Sequence, residues 1–251
     1  MKSGRRIRVA TYNIHKARGL DGRHRLDRII AVLDEIDADL IAIQEVFAQQ
    51  AEVLTGATGM RGVFGPTRRL PAGLYGNLCL SRLPLVAHAR YNLTCRPFEP
   101  RGCLRIDVDL GPAGMPGRAG SGRLHLFNVH LGLHYRERVH QVRRLVKICE
   151  RSGFPGSRLV LGDFNEWFHG GASQILRAEF GHPNGRRRSV ATYPSPLPMF
   201  PLDRIYHDPT VQLERSAVHR SRLARVASDH LPAYADLRLL PSDERSHGAR
   251  A

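Results

Sequence analysis

Short apolar runs of strand length are spaced along the whole chain, and two stretches interrupt them with a helical period. Ile7–His15 alternates apolar and polar side chains, the mark of a strand with one covered face. Leu26, Ile29, Ile30, Leu33 and Ile36 recur on one helix face and predict an amphipathic helix over residues 26–37. Asp39–Glu45 reads as a buried strand. Tyr75–Ser81 and Leu85–Leu93 read as a strand pair joined at Arg82-Leu83-Pro84, and Cys103–Leu110 and Arg123–Leu131 as a second pair. The connection at 111–117, rich in Gly and Pro, is a flexible loop. Val139, Val142, Leu145, Val146 and Cys149 mark a second helix, ended near Gly153. Strands follow at 158–163, 202–206 and 233–239, the middle one preceded by the Pro-rich segment 189–201. Strands outnumber helices and many neighbours suit antiparallel pairing. The expectation is an α/β fold, a four-layer sandwich of two packed mixed β-sheets flanked by helices. Residues 1–240 are expected to form one catalytic domain and 241–251 a disordered polar tail.

Composition narrows the class. The hydrophobic content of 42% supports a sizeable core, and no apolar run reaches the roughly 18 residues that a membrane helix needs. The basic start, Met1–Arg6, leads into an alternating strand and not into the apolar centre of a signal peptide, so a cytoplasmic protein is expected. The four cysteines (79, 95, 103 and 149) lie far apart with no CxxC pair, which argues against a zinc or redox site. The formal net charge is +15, carried by arginine apart from Lys2, Lys16 and Lys147. Arginine binds phosphate bidentately, which suits a polyanionic partner. A GC-rich coding sequence also favours arginine, so the charge does not choose between nucleic acid, anionic lipid and a solvated surface.

The richest stretch for chemistry is Leu159-Val160-Leu161-Gly162-Asp163-Phe164-Asn165, an apolar strand that ends in a carboxylate and a carboxamide at i and i+2. Asp can hold a hard cation or take a proton from water, and Asn can orient a phosphate oxygen without titrating. That pairing suits metal-assisted hydrolysis. Other polar clusters lie at strand ends: Tyr12-Asn13-Ile14-His15, Gln44-Glu45-Val46, Gly76-Asn77, Asn128-Val129-His130-Leu131 and Ser228-Asp229-His230, with Leu202-Asp203-Arg204 inside a strand. Each alone is weak. Asp203 has Arg204 beside it as a local partner, His130 reads equally as a core histidine, and Asn13 as a strand end.

In this order the set resembles the endonuclease/exonuclease/phosphatase superfamily, the fold of DNase I and exonuclease III, over residues 7–239. The Asn-Ile-His-Lys start and the His-Leu-Gly-Leu turn look most like an uncharacterised bacterial branch of small metal-dependent hydrolases. The resemblance implies a Mg²⁺- or Mn²⁺-dependent phosphoesterase. Glu45 would bind the cation, with Asn13 supporting the site and Asp229 completing its shell. Asp163 would activate or align the attacking water, Asn165 would orient water or phosphate, and His230, polarised by Asp203, would contact the phosphoryl group. His130 would stabilise developing negative charge or help protonate the leaving group.

Substrate contacts are more open. Asn77 is an even balance between site and scaffold, and Arg105 either faces the site or pairs with Asp107. His15, Lys16 and Arg18 either grip phosphate or form an ordinary basic loop. Arg136, near the start of the second helix, would strengthen an anion subsite there. Trp167 and Phe168 either stack on substrate or anchor packing, and Pro194–Pro201 is an apolar wall leading to Asp203. The favoured substrate is a nucleic acid phosphodiester. The alternatives are a phospholipid headgroup or small phosphoester and, in a different class, an inactive basic scaffold. Neither stable membrane insertion nor a protein partner is expected.

Overall fold

The computed structural model describes residues 4–111, 122–151, 156–181 and 190–239. A six-stranded sheet runs, in spatial order, β10 (Val211–Val218), β11 (Ala233–Leu239), β1 (Arg5–Asn13), β2 (Leu40–Phe47), β4 (Gly73–Ser81), β3 (Arg61–Leu70). A five-stranded sheet runs β9 (Asp203–His207), β8 (Ser157–Asp163), β7 (Arg123–His130), β6 (Gly102–Asp109), β5 (Leu85–Asn92). Helices α1 (Leu26–Ile36), α2 (Ala48–Thr58) and α5 (Ala224–Ala227) pack on the outer face of the first sheet, and α3 (Tyr135–Arg151) and α4 (Gly171–Phe180) on that of the second. The expected four layers are present. None of the described helices is long and apolar enough to cross a membrane.

The alternation of side chains decides what enters the space between the sheets. Val9, Leu40, Leu126, Leu159 and Leu161 point inward and share one core, while Ala10, Tyr12, Ile41, Phe127, Val129 and Val160 point out under the helices. Carrying the inward parity to the strand ends places Asn13, His130 and Asp163 on the inner face, where apolar packing gives way to polar groups. Each sheet has one parallel pair, β1 with β2 and β7 with β8. The carboxyl ends of these four strands meet at one rim, the usual place for a site in an open sheet.

A polar tie between the sheets is Asn128, fully buried on β7. Its Nδ2 donates to Ile43 O at 3.1 Å and Leu78 O at 2.9 Å, and its Oδ1 accepts from Gln44 Nε2 at 2.8 Å. Ile43 and Leu78 are the last paired residues before a bulge between β2 and β4. The bulge turns Glu45 out of the ladder with φ +61° and sends its carboxylate to the rim.

Several expectations are corrected. The first strand ends at Asn13, and His15–Ala17 forms a tight turn. β4 and β5 do not pair: Arg82-Leu83-Pro84 carries the chain from one sheet to the other, with Leu83 buried and its N–H and carbonyl both bonded to Ser81 Oγ. The second expected pair, β6 with β7, is antiparallel as read. α2, β3, α4, β10 and α5 were not anticipated. The tail 241–251 and most of the 111–117 loop lie outside the described residues.

Asn128→Leu keeps a similar volume but strips donors from two buried carbonyls, each loss being worth about 1–3 kcal/mol. Urea unfolding is expected to show a loss of about 3 kcal/mol for this variant. A loss below about 1 kcal/mol would mean that the tie contributes no more than an ordinary hydrogen bond.

Candidate active site

The rim is built on strained backbone. Six non-glycine residues have positive φ among the described residues, and five of them lie here: His15 (+47°), Lys16 (+59°), Ala17 (+58°), Glu45 (+61°) and Asn165 (+49°). Such conformations are unfavourable for L-residues and persist where surrounding structure holds them for function. Gly162 has φ +150°, and a Cβ there would run into the Val129 carbonyl. Glycine thus lets β8 close on β7 and sets the height of Asp163 beside His130, its partner in register.

Asp163 is the hub, with 1% of its surface exposed. Its Oδ2 accepts from Asn13 Nδ2 across the sheets at 3.0 Å and lies 3.6 Å from His130 Nε2 and 3.8 Å from His230 Nε2. Its Oδ1 accepts the Asn165 N–H at 2.9 Å. Burial pushes the Asp163 carboxyl up, against the pull of His230. Asp203 stands opposite Asp163 in register, and its Oδ2 accepts from His230 Nδ1 at 2.8 Å and from Thr192 Oγ1 at 2.6 Å. Burial opposes charge on His230, but the Asp203 and Asp163 carboxylates outweigh it and raise this histidine to about 10.

His130 is its opposite. Burial and the Arg101 guanidinium lower it to about 4, so its ring is neutral at physiological pH. Arg101 Nη1 sits 3.2 Å from His130 Nδ1. The same guanidinium nitrogen is 3.4 Å from Nε2; with the nearer Nδ1 taken as the acceptor, the ring proton is assigned to Nε2, facing Asp163. Glu45 is held down at about 2 although burial works the other way, by the fields of His130 and Lys16 and by hydrogen bonds from Tyr75 and Asn13. With His130 neutral, the Lys16 ammonium, 3.3 Å from Oε2, is the principal cation at neutral pH.

The structure brings Asn13, Glu45, His130, Asp163, Asn165, Asp203 and His230 together. Asn13 Oδ1 accepts the His15 N–H and Nδ2 faces the carboxylates, so Asn13 presents a donor to them. Asn165 Nδ2 is used on Leu131 O at 2.9 Å. Asp229 stands at the mouth, part-exposed, 3.5 Å from His15 Nδ1. Asn77 is buried in the floor, its Nδ2 3.5 Å from Asn128 O. Arg18 and Arg136 are exposed, outside the cluster around Asp163. Arg105 is turned away: it lies on the face of β6 opposite Leu104 and Ile106, paired with Asp107 at 3.1 Å and donating to Tyr91 Oη at 2.9 Å. Arg204, offered as a partner for Asp203, is buried against Glu166 at 2.8 Å instead.

Arg101 takes the place expected for Arg105. The register Cys103↔Val129 sets the start of antiparallel β6 beside the end of β7, so a residue just before β6 reaches His130. Thr192 and Tyr193, whose ring centroid is 4.9 Å from that of His230, were also missed in the Pro-rich segment. Only the pairing register reveals them.

The donor set fits a hard divalent cation. Asp203 Oδ1 is a buried acceptor with no hydrogen bond, and Glu45 Oε2, also buried, meets the Lys16 ammonium. Asp163 and Asp203 place carboxylate oxygens within 4.8 Å of one another, with the protonated His230 beside them as a donor and not a ligand. Oxygen-rich groups with unfilled lone pairs suit Mg²⁺ or Mn²⁺.

Residues 10–230 match the model of the Endonuclease/Exonuclease/phosphatase family. The uncharacterised protein YbhP of Escherichia coli K12 is 27% identical over 253 residues, covering 93% of this chain and 96% of that protein. An endonuclease/exonuclease/phosphatase from Bacteroides vulgatus superposes with a TM-score of 0.77 at 19% identity, covering 94% of this chain and 99% of the other. A mannosyl-6-phosphatase of Bacteroides thetaiotaomicron superposes with a TM-score of 0.73 at 18% identity, covering 92% and 99%. The two structures are similar to this chain in fold.

The charge on His230 is testable without substrate. A histidine raised above its unfolded value of about 6.5 stabilises the fold below that pH, and the contribution is lost as pH rises through about 10. In EDTA-treated protein, NMR is expected to find His230 protonated at about pH 8, with Asp203→Asn bringing its midpoint down. A midpoint near 6.5 in the unaltered protein would remove the carboxylate pair as the source of that charge.

Proposed function

This chain belongs to the Endonuclease/Exonuclease/phosphatase family, and on that premise we propose that it is a divalent-metal-dependent phosphoesterase acting on a phosphodiester, with nucleic acid the favoured substrate. The family's members are phosphoesterases. The observation that carries the finer reading is the convergence on one rim of a buried Asp163, a neutral and a charged histidine, the Glu45 carboxylate and an unfilled acceptor on Asp203. Residues 1–240 are read as one catalytic domain, acting in the cytoplasm.

Glu45 would hold the cation in exchange for its contact with Lys16, Asp229 standing nearby and Asn13 fixing the carboxylate from behind. Asp163 and Asp203 offer further oxygens to it. The bound cation would draw charge from the phosphoryl oxygens and orient the ester. Asp163, pushed up by burial, is matched to taking a proton from the attacking water. Asn165 fixes the turn that carries this carboxylate. The cationic His230 would hold a phosphoryl oxygen, and it keeps its proton because the Asp203 and Asp163 carboxylates face it, Thr192 fixing Asp203 from behind. His130 would donate from Nε2 to developing negative charge, with Arg101 adding a fixed positive field. The full set of polar residues counts against an inactive scaffold.

A second reading, a phospholipid headgroup or small phosphoester with an apolar part, has its own support. Trp167, Phe168, Leu197 and Met199 are exposed, and Trp167 packs on Tyr193, the neighbour of His230. The named activity of the Bacteroides thetaiotaomicron neighbour on a phosphomonoester belongs to that protein and keeps this class in the test.

The test is a phosphoester panel with Mg²⁺ and with Mn²⁺: single- and double-stranded DNA, abasic DNA, RNA, phospholipids, inositol phosphates and bis(4-nitrophenyl) phosphate. EDTA is expected to abolish turnover, and Glu45→Gln to demand far more metal while folding normally. Full activity of Glu45→Gln at low Mg²⁺ excludes that carboxylate as the anchor. His130→Ala, His230→Ala and Asp163→Asn are each expected to lower kcat by about 10²–10⁴-fold with little change in KM. Any of the three that keeps the parent kcat plays no part in the chemistry. Turnover of a lipid or small ester but not of DNA or RNA would move the assignment to the second reading.

A further inference from the structure

From Arg101 a basic groove leads out of the active site. A cleft of about 780 Å³ is lined by Arg90, Tyr91, Arg96, Phe98 and Arg101, between the edge strands of the two sheets and the loop before β6. A second cleft of about 310 Å³ shares Arg90 and Tyr91 and continues to Arg144 and Lys147 on α3. Among the described residues no carboxylate lines either cleft, and the nearest in sequence, Glu99, is taken up by Arg68 at 2.8 Å and Arg101 at 3.4 Å. Arg90, Arg96, Arg144 and Lys147 are exposed and have no salt-bridge partner among the described residues. These are four cations whose fields are not cancelled locally.

The floor is aromatic and fixed. Arg105, turned away from the catalytic cluster, donates to Tyr91 Oη at 2.9 Å and lies 5.9 Å from the Tyr91 ring centroid. Asp107 holds Arg105 in turn. Tyr91 is thus braced from beneath at the point where the two clefts join. At the near end Arg101 reaches both compartments, lining the groove while its Nη1 touches His130. Phe98 against the His134 ring, centroids 4.5 Å apart, fastens the intervening loop to the start of α3.

Unpaired cations beside a braced aromatic ring are the features that bind single-stranded nucleic acid: cations track the backbone phosphates and a ring takes a base. We propose that this groove binds the single strand flanking the scissile bond, with Arg90, Arg96, Arg144 and Lys147 on its phosphates and Tyr91 under a base. The proposal rests on the nucleic-acid reading of the active site and narrows it to a flexible strand that leaves past Arg101. A small phosphoester fills the catalytic rim and does not reach the groove.

The test separates binding from turnover. Fluorescein-labelled oligothymidylates of about 4 to 16 nucleotides, the range of a single-strand site, are titrated in EDTA by anisotropy at several salt concentrations. Hydrolysis of bis(4-nitrophenyl) phosphate is measured separately with Mn²⁺. Arg90→Glu with Lys147→Glu is expected to weaken binding at least tenfold and to flatten the salt dependence by roughly 0.7 in log–log slope per lost phosphate contact. Tyr91→Ala is expected to weaken binding about tenfold at an unchanged slope. Arg61→Glu with Arg123→Glu makes the same charge change at the far ends of β3 and β7 and is expected to leave affinity and slope near the parent's. All three variants should hydrolyse bis(4-nitrophenyl) phosphate at the parent's rate. Equal effects from the two charge reversals would overturn the groove, because net charge alone would then explain binding. So would a parent that binds no oligothymidylate, or one that binds only double-stranded DNA or phosphatidylserine vesicles. Groove-dependent binding with no turnover of any phosphoester supports the groove and sinks the catalytic reading instead.

Discussion

A carboxylate as deeply buried as Asp163 must be met by donors, and meeting that requirement organises one end of the molecule. Its neighbours come from four separate segments: Asn13 at the end of β1 and Asn165 in the turn after β8 donate hydrogen bonds, and the rings of His130 at the end of β7 and His230 in the loop before β11 stand within 4 Å. No two of the four are close neighbours in sequence. They meet because the strands that carry Asn13, His130 and Asp163 point them to the same inner face, and because Gly162 lets β8 lie close against β7. An unpaired charge in such a place costs several kcal/mol, so the sheets and the site stabilise one another.

The same burial divides the work between two histidines about equally near Asp163. His230 has carboxylates on two sides and a hydroxyl behind one of them, so it carries charge. His130 has a guanidinium against its ring, so it does not. One is suited to holding an anion, the other to donating a hydrogen bond from a neutral ring. Around them, left-handed backbone at His15–Ala17, Glu45 and Asn165 aims groups that a regular strand would point elsewhere. Stability given up there is restored in part by ties such as Ser228 Oγ to Asn13 O at 2.8 Å, which fasten the loops to strand ends.

Much of this was legible in the sequence. The runs ending at Asn13, Glu45, His130 and Asp163 marked strand ends with chemistry on them, and the order of motifs pointed to the family and the four layers. What failed to show was pairing. Arg82-Leu83-Pro84 has the length of a hairpin, and nothing local says that it crosses between sheets. Arg101 and Arg105 look equivalent within one segment. Parity then turns Arg105 outward, and the β6–β7 register brings Arg101 to His130. α2 escaped because its covered face is small, with Ala51 and Leu54 as its buried residues. Thr192 was hidden in a Pro-rich stretch, although its hydroxyl holds Asp203.

If this rim is a metal-assisted phosphoester site anchored on Glu45, its cation sits on that carboxylate. Anomalous scattering from crystals soaked in Mn²⁺ with inorganic phosphate reads it directly. A manganese peak is expected against the Glu45 carboxylate, with phosphate density between it and the rings of His130 and His230. Manganese bound elsewhere, or a rim that takes phosphate while Glu45 stays on Lys16 with no metal beside it, would contradict the account.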